Sequence, residues 1–203
     1  MAKKQPYHHG DLRQALLSAA ITLLQKKDVQ SLSLRGVARE AGVSHTAPYR
    51  HFEDKAALLG AIAEEGFVEF GNYLQSAVDR TPNQPVESLM AAGVAYIRYA
   101  LDYPTHFRIM FSHFPSEKST DSSLHQTSAS TFQILVNIIL AGQAAQVMRN
   151  DQKAEFLALG KWSLVHGVAM LLLDGMLPNQ AESQLSLAEA LVKDSLISLT
   201  VEN

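Results

Sequence analysis

One stretch constrains the fold of this chain more than any other: residues 31–59, SLSLRGVAREAGVSHTAPYRHFEDKAALL, which predict two short helices joined by a tight turn. Apolar residues recur at helical spacing over Leu34–Ala41, and Ser33 stands where an N-cap belongs. Gly42 follows the last periodic apolar residue, the usual place for a glycine that ends a helix. The stretch therefore predicts a first helix that stops at this glycine.

A second short helix is predicted over His45–His51, with Ser44 as its N-cap. Pro48 lies inside it, but the carbonyl that the proline ring would oppose belongs to Ser44 at the helix edge, so we expect a small cost and a tight first turn. Asp54 then caps a third helix that begins at Lys55. A helix, a glycine-containing turn and a second helix led by polar groups form the helix-turn-helix arrangement, which reads the major groove of DNA.

A YxHF motif, followed by a lysine at the next helix start, lies in the run AGVSHTAPYRHFEDKAALL. With LSLRGVARE before it, this run resembles the DNA-binding region of TetR-family transcriptional regulators, in which the motif closes the recognition helix. Two further runs, YHHGDLRQALL at residues 7–17 and KWSLVHGVAMLLLDGML at residues 161–177, resemble the subgroup whose C-terminal domain carries a Trp-His-Gly motif. The resemblance implies a DNA-binding domain over residues 1–54 and a helical ligand-binding and dimerisation domain over residues 55–203.

Composition excludes several classes of protein. The 203 residues are 47% hydrophobic and 18% charged, as in soluble globular proteins. The chain contains no cysteine, which excludes disulfides, thiolate catalysis and cysteine-based metal sites. No stretch approaches the roughly eighteen uninterrupted apolar residues that span a bilayer, and the start, MAKKQPYHHGD, has no apolar signal segment. We expect a cytoplasmic protein with no membrane partner.

The net charge of -3 conceals an asymmetry between the two ends of the chain. Residues 1–60 hold nine Lys and Arg against five Asp and Glu, a net +4, while residues 61–203 hold eight against fifteen, a net -7. A basic end joined to an acidic body fits a local surface that faces phosphates. The basic arm at Lys3 and Lys4 could contact the DNA backbone or could be a solvated tail, and the sequence favours neither.

Apolar periodicity predicts an all-α fold of about nine helices with no strand. Beyond the stretch described above, the expected helices cover residues 11–27, 55–79, 86–102, 105–111, 132–150, 154–176 and 185–199, with a polar Ser/Thr-rich loop over residues 112–130. The helix over residues 55–79 joins the basic end to the acidic body without a linker, so it is the candidate lever between them. The helix over residues 154–176 is apolar on nearly every side and, with the last helix, predicts a homodimer paired as a four-helix bundle.

Candidate DNA contacts divide into base readers and phosphate contacts. Short side chains on the leading turn of the second helix can reach base edges or thymine methyl groups, which makes base readers of Ser44, His45 and Thr46. The family motif implies phosphate contacts at Ser33, Tyr49, His51 and Lys55, and Lys55 also stands at a helix N-terminus. Of three nearby arginines we select Arg35, and Tyr49 could alternatively pack beside Phe52.

The body contains more aromatic and polar-tipped side chains than a core of its size requires, and the resemblance implies that they line a pocket for a small-molecule inducer. The candidate ligand-binding residues are Tyr96, Tyr99, Tyr103, Phe107, Phe111, Trp162, His166 and Met170. The alternative is that this aromatic stripe is only core. We expect no metal and no cofactor, and the partners implied are a palindromic operator in double-stranded DNA, an inducer and a second copy of the chain.

Two other classes of function remain as alternatives to the regulator: an enzyme, which could be a hydrolase or metal-dependent, and a structural DNA-binding protein. Ser163, His166 and Asp174 can be written as a hydrolase triad, although the first two are three residues apart on one helix and no nucleophile elbow is present. The eight histidines could serve a metal-dependent enzyme, but they show no HxxxH or HExxH spacing. A structural protein that binds DNA without sequence preference is the third possibility, and the acidic body argues against it.

Overall fold

The computed structural model describes residues 9–112, 122–177 and 184–200, which fold into eight α-helices, two short 3-10 turns (Val29–Ser31 and Pro48–Arg50) and one isolated β-bridge between Met148 and Thr200. The α-helices are α1 (His9–Leu24), α2 (Leu34–Glu40), α3 (Lys55–Val78), α4 (Pro85–Asp102), α5 (Pro104–Met110), α6 (Ser122–Ala144), α7 (Ala154–Leu173) and α8 (Gln184–Ile197). The predicted all-α class is confirmed. The predicted basic arm at Lys3 and Lys4 lies outside the described residues.

The turn after α2 has the geometry that its glycine predicts. The Ser33 hydroxyl oxygen accepts a hydrogen bond from the amide of Gly36 at 3.1 Å and so caps the start of the helix. At the other end, Gly42 has a φ of +68° and the amide of Val43 donates to the carbonyl of Ala38 at 2.9 Å. This is a Schellman motif, in which a residue with positive φ reverses the chain. It directs the following residues away from the axis of α2.

The segment predicted as the second helix, His45–His51, differs from the expectation. Residues 45–47 form a turn and only Pro48–Arg50 is helical, as a single 3-10 turn. The carbonyl of Ser44 accepts a hydrogen bond from the amide of Ala47 at 3.0 Å, three residues on, because Pro48 has no N–H with which to make the four-residue bond. The proline therefore removes the bond that would have begun an α-helix.

The predicted loop over residues 112–130 is wrong for its second part, because α6 begins at Ser122. Hydroxyl groups in this polar stretch donate to backbone carbonyls one turn earlier: Thr127 Oγ1 to Ser123 O at 2.8 Å and Ser130 Oγ to Gln126 O at 2.9 Å. Such bonds satisfy Ser and Thr inside a helix, although these residues often favour turns in isolation. Residues 113–121 lie outside the described part of the chain.

Two hydrophobic cores share α3. The N-terminal core joins α1, α2 and Phe52 to the first part of α3, which contributes Leu58, Leu59 and Ile62. The body core is formed by α4, α6, α7 and α8 around the later part of α3, beginning at Phe67. A continuous helix of 24 residues thus carries both cores, without a linker between them.

The short helix α5 also contributes to both cores. Its residue Ile109 is buried in the N-terminal core, whereas Phe107 and Met110 are buried in the body core. Met110 packs closely on α3 at Gly66, where an added Cβ would lie only 2.7 Å from the Met110 sulfur. A displacement of α5 must therefore be accommodated in both cores.

Candidate nucleic-acid interface and ligand cavities

The side chains predicted to read bases lie together on the exposed turn before Pro48. Ser44, His45 and Thr46 are all exposed, and the Ser44 and Thr46 hydroxyl oxygens are 3.3 Å apart. The Tyr49 side chain is 53% exposed, whereas Phe52 is only 3% exposed in the N-terminal core. Tyr49 is thus not buried as a core ring, and the turn presents three short polar side chains and a phenol to solvent.

The structure shows what surrounds three of the predicted phosphate contacts, Ser33, Lys55 and His51. Ser33 caps α2, as described above, and Lys55 Nζ donates to the carbonyl of Gln30 at 3.1 Å. An ammonium group has three donors, so this bond leaves Lys55 able to bind a phosphate as well. His51 is half-buried, and its Nε2 atom is buried with no hydrogen-bond partner among the described residues. That nitrogen is not accessible to a phosphate in this conformation, and a phosphate contact at His51 stays a prediction.

Contacts made by residues of α1 and α3 hold the exposed turn at residues 44–46 in place. Arg13 Nη1 lies 3.4 Å from Glu65 Oε1, and the Arg13 guanidinium stacks over the ring of Phe52 at 5.8 Å. The Asp54 carboxylate accepts a hydrogen bond from the amide of Ala57 at 2.7 Å and caps α3. These contacts fix the position at which the exposed turn ends and α3 begins.

Positive charge near the turn is exposed. Arg35, Arg39 and Arg50 are exposed on α2 and the 3-10 turn. The ion pairs found in the described ranges involve other arginines, at positions 13, 98, 108 and 149. These three guanidinium groups therefore contribute to a basic surface beside the polar turn.

The structure does not bring the eight predicted ligand residues around one cavity. Tyr96 is 2% exposed and Phe107 is fully buried, and their rings pack edge to face at 5.6 Å. Trp162 is half-buried and packs against Phe111 at 6.1 Å. Tyr96, Phe107 and Trp162 thus pack in or against the body core, which fits the alternative that part of the aromatic stripe is core.

The other predicted residues lie on two open cavities. A groove of about 850 Å³ between α3 and α4 has Tyr99 and Tyr103 on its walls. A second cavity of about 490 Å³ has Phe111, His166 and Met170 on its walls. We call these the α3–α4 groove and the junction cavity.

The junction cavity also contains residues that the sequence analysis missed. Lys27 and Val29 follow α1, and Thr105 and Arg108 lie on α5. They are about 80 residues apart in sequence and share no periodic pattern, so only the fold brings them together. Arg108 Nη2 donates to Asp174 Oδ1 at 2.6 Å and so ties α5 to the end of α7.

A chain of hydrogen bonds orients His166 within this arrangement. Trp162 Nε1 donates to the Tyr96 hydroxyl oxygen at 2.9 Å, and the same hydroxyl lies 2.9 Å from His166 Nδ1. An indole N–H can only donate, so the Tyr96 oxygen accepts from Trp162, and we assign the remaining hydroxyl proton to the bond with His166 Nδ1. Burial favours this neutral state, since it lowers the pKa of His166 and raises the pKa of Tyr96. The proton of the neutral imidazole then resides on Nε2.

The lowered pKa of His166 predicts a specific dependence of stability on pH. Folding favours the neutral ring, so this contribution is fully present above the unfolded pKa of about 6.5 and is lost as pH falls towards the lower pKa of the folded state. We expect the free energy of unfolding to decrease over that window in the wild type and to decrease less in His166→Gln. Urea unfolding at a series of pH values measures it. Substitution of the exposed His125 by Gln is the control, and equal slopes in all three proteins would contradict the expectation.

The three residues that could be written as a hydrolase triad form hydrogen bonds or ion pairs with other groups. Ser163 Oγ donates to the carbonyl of Leu159 at 2.8 Å, Asp174 pairs with Arg108, and His166 Nδ1 accepts from Tyr96. Nothing in this arrangement resembles a nucleophile with its base. Within the part of the chain that the structure describes, no three His, Cys, Asp or Glu side chains form a group that could hold a metal ion.

One face of α7 and α8 is apolar and exposed. Phe156 is 65% exposed, and the other large apolar side chains on this face are Leu159, Leu164, Leu171, Leu187 and Leu191. Gly160 and Gly167 add open space, because a Cβ at either position would meet nothing within 4 Å. By length and composition alone, α7 could also cross a membrane, a criterion that core helices of soluble proteins meet too.

Two family models match this chain. Residues 16–62 match the model described as bacterial regulatory proteins of the tetR family, and residues 89–194, more than half of the chain, match the model described as a Tetracyclin repressor-like C-terminal domain. Among curated relatives, the HTH-type transcriptional regulator AcrR of Shigella flexneri is 33% identical over 89 residues, which cover 44% of this chain and 41% of that protein. The chain thus aligns with less than half of this relative's length.

Solved structures match over nearly the whole chain. A protein of unknown function from Rhodococcus sp. RHA1 has a TM-score of 0.85 at 33% identity, covering 98% of this chain and all of that one. SmeT in its triclosan complex has a TM-score of 0.69 at 20% identity, with 95% and 93% of the two chains covered, and shows the likeness of fold alone. The narrower Trp-His-Gly subgroup stays a prediction. With its N-terminal unit and its body both matched by family models, this protein belongs to the TetR family of bacterial regulatory proteins.

Proposed function

We propose that this protein is a cytoplasmic, ligand-responsive repressor that binds a palindromic operator in double-stranded DNA as a homodimer and is released by a small-molecule inducer. The exposed polar turn at residues 44–46 is the observation that carries the proposal. It stands beside exposed arginines and is held by two capped helices over a buried core. Membership of the family supports the same function.

In this proposal the turn reads bases and its surroundings bind the backbone. Ser44, His45 and Thr46 contact base edges, because short side chains on an exposed turn can enter the major groove. The phosphate contacts are Ser33, Arg35, Tyr49, His51 and Lys55, of which Ser33, Arg35 and Tyr49 are exposed and His51 and Lys55 are half-buried. The DNA-binding domain comprises residues 1–54 and the ligand-binding and dimerisation domain residues 55–203, with α3 packing in both.

We place the dimer contact on the exposed apolar face of α7 and α8. Large apolar side chains flank Gly160 and Gly167, so a second helix could approach closely there. Two-fold pairing repeats every contact and sets two recognition turns at a fixed separation. Operator half-sites are then expected about one helical turn, roughly 34–36 Å, apart.

In this proposal, ligand binding releases the protein from the operator by shifting the dimer from one arrangement to another. SmeT, which has a similar fold, was solved in complex with triclosan, and we propose that the body of this protein likewise binds a small molecule. A ligand that prefers one tilt of α3 favours one spacing of the recognition turns. A coupling free energy of about 1–3 kcal/mol changes operator affinity roughly 5- to 150-fold.

Selection of bound fragments from a random DNA pool tests the function. The wild type should enrich a two-fold symmetric sequence and bind it about 10³-fold or more tightly than random DNA at physiological salt. Scrambling both half-sites should abolish that preference, while scrambling one should remove part of it. Equal affinity for selected and random DNA would reject the regulator and favour a structural DNA-binding protein.

A further inference from the structure

The junction cavity lies between the two cores. Its walls come from the end of α1 and the residues after it (24–29), from α5 with the residues that follow it, and from α7. Its volume of about 490 Å³ is within the usual range for small-molecule sites, roughly 300–1,000 Å³. A molecule in this cavity would contact both parts of the protein at once.

The junction cavity differs from the α3–α4 groove in the elements that form its walls. Thr105 and Arg108 on its wall belong to α5, which also buries Ile109 in the N-terminal core and Phe107 in the body core. The α3–α4 groove is walled by residues 69–103, all within those two helices and the residues at their ends. An occupant of the junction cavity therefore contacts α5 and the residues after α1 together, whereas an occupant of the groove contacts α3, which also packs in both cores.

Several polar groups on the cavity wall are hydrogen-bond donors, which favours a ligand with acceptor atoms. Lys27 supplies positive charge, Arg108 is paired with Asp174 but has further N–H donors, and Asp28 is the carboxylate among the wall residues that the structure describes. Through its bonds to Tyr96 and Trp162, His166 is held as a neutral ring that keeps a donor N–H on Nε2. These groups can hold an oxygen-rich head group by hydrogen bonds and charge.

The remaining wall is apolar. Leu24, Val29, Ile109, Phe111 and Met170 supply aliphatic, aromatic and thioether surface. Methionine adapts its shape to different apolar groups, and an aromatic ring packs against flat ones. The cavity thus combines an apolar wall with a few donors, the composition expected for an amphipathic ligand.

We propose that the effector binds in the junction cavity and that it is a small amphipathic organic acid. Its acidic head group lies near His166, Lys27 and Arg108, and its apolar body packs against Met170 and Phe111. This inference deepens the ligand response and rests on the proposed function. Occupancy of the cavity then acts on α5 and, through it, on the N-terminal core.

The fluorescent aromatic sulfonate 8-anilinonaphthalene-1-sulfonate is a suitable probe, because it is an anion with an apolar ring system and becomes fluorescent in apolar sites. The first pair of variants is Lys27→Glu and Lys26→Glu: both lysines are exposed neighbours, but only Lys27 lies on the cavity wall. We expect the dissociation constant of the probe to rise about tenfold in Lys27→Glu, because attraction becomes repulsion, and to stay within about twofold in Lys26→Glu.

A second pair separates the two cavities. Met170 lies on the junction cavity and Met90 on the α3–α4 groove, and both are half-buried. Met170→Glu should weaken probe binding about tenfold or more, and Met90→Glu should leave it nearly unchanged. Thermal unfolding checks each variant, and the surface pair at positions 26 and 27 serves if a methionine variant does not fold.

Two results would overturn the assignment: Lys27→Glu and Met170→Glu binding the probe as the wild type does, or Met90→Glu weakening it as much as Met170→Glu. Selection of DNA by the unliganded wild type distinguishes this failure from failure of the proposed function. Selective DNA binding with unaltered probe affinities rejects the junction site alone. Absence of selective DNA binding in the wild type rejects the regulator itself.

Discussion

Leu159→Glu combined with Leu191→Glu should convert the protein from a dimer into a monomer and reduce operator affinity about 100-fold or more. Both side chains are exposed on the apolar face of α7 and α8. Two-fold symmetry would bring four new carboxylates into one contact, where each would lose hydration without gaining a partner. A monomer engages one half-site, so it loses the second set of base and phosphate contacts.

Sedimentation velocity measures the mass of the particle, and fluorescence anisotropy of labelled operator measures the affinity. Val68→Glu is the matched control, because Val68 is also an exposed apolar residue but lies on α3, away from this face. The control should remain dimeric and bind operator as the wild type does. A double variant that stays dimeric with full affinity would show that the dimer contact lies elsewhere.

Local rules predicted most helix positions well. The capped start of α2 at Ser33 and its end before Gly42 follow from side-chain acceptors and from positive φ, which depend on neighbouring residues only. The prediction at His45–His51 was less accurate, because a proline at an edge can either begin a helix or leave a 3-10 turn. At residues 122–130 the Ser/Thr composition indicates a loop. The structure has a helix there, because hydroxyl groups of Thr127 and Ser130 donate to backbone carbonyls of the same helix.

The interface and the cavities were predictable to different degrees. The exposed turn at residues 44–46 is local in sequence, so a motif could identify it. The junction cavity combines residues 24–29, 104–112 and α7, and its shape depends on how helices far apart in sequence pack. Tyr96 and Phe107 illustrate the limit: an aromatic residue at helical spacing has the same pattern whether it fills a core or borders a cavity.

Lys55→Ala and His45→Ala should weaken DNA binding in different ways. Lys55 is a phosphate contact in our proposal, so its removal should reduce affinity for all sequences alike and lower the slope of log affinity against log salt by about 2 per dimer. His45 is a base reader, so its removal should relax sequence preference in each half-site by about 1–3 kcal/mol and leave the salt slope unchanged. Lys26→Ala, which removes an exposed lysine at the end of α1, is the charge-matched control.

Titrations of operator and of a scrambled site at several salt concentrations measure both effects. Lys55 also donates to the carbonyl of Gln30, so part of its effect on affinity could arise from a loosened start of α3. The salt slope separates the two causes, because a lost structural bond does not change the number of counterions that binding releases. Both variants could instead lose affinity with the same salt slope and the same sequence preference. That result would contradict separate roles for His45 in base reading and for Lys55 in phosphate contact.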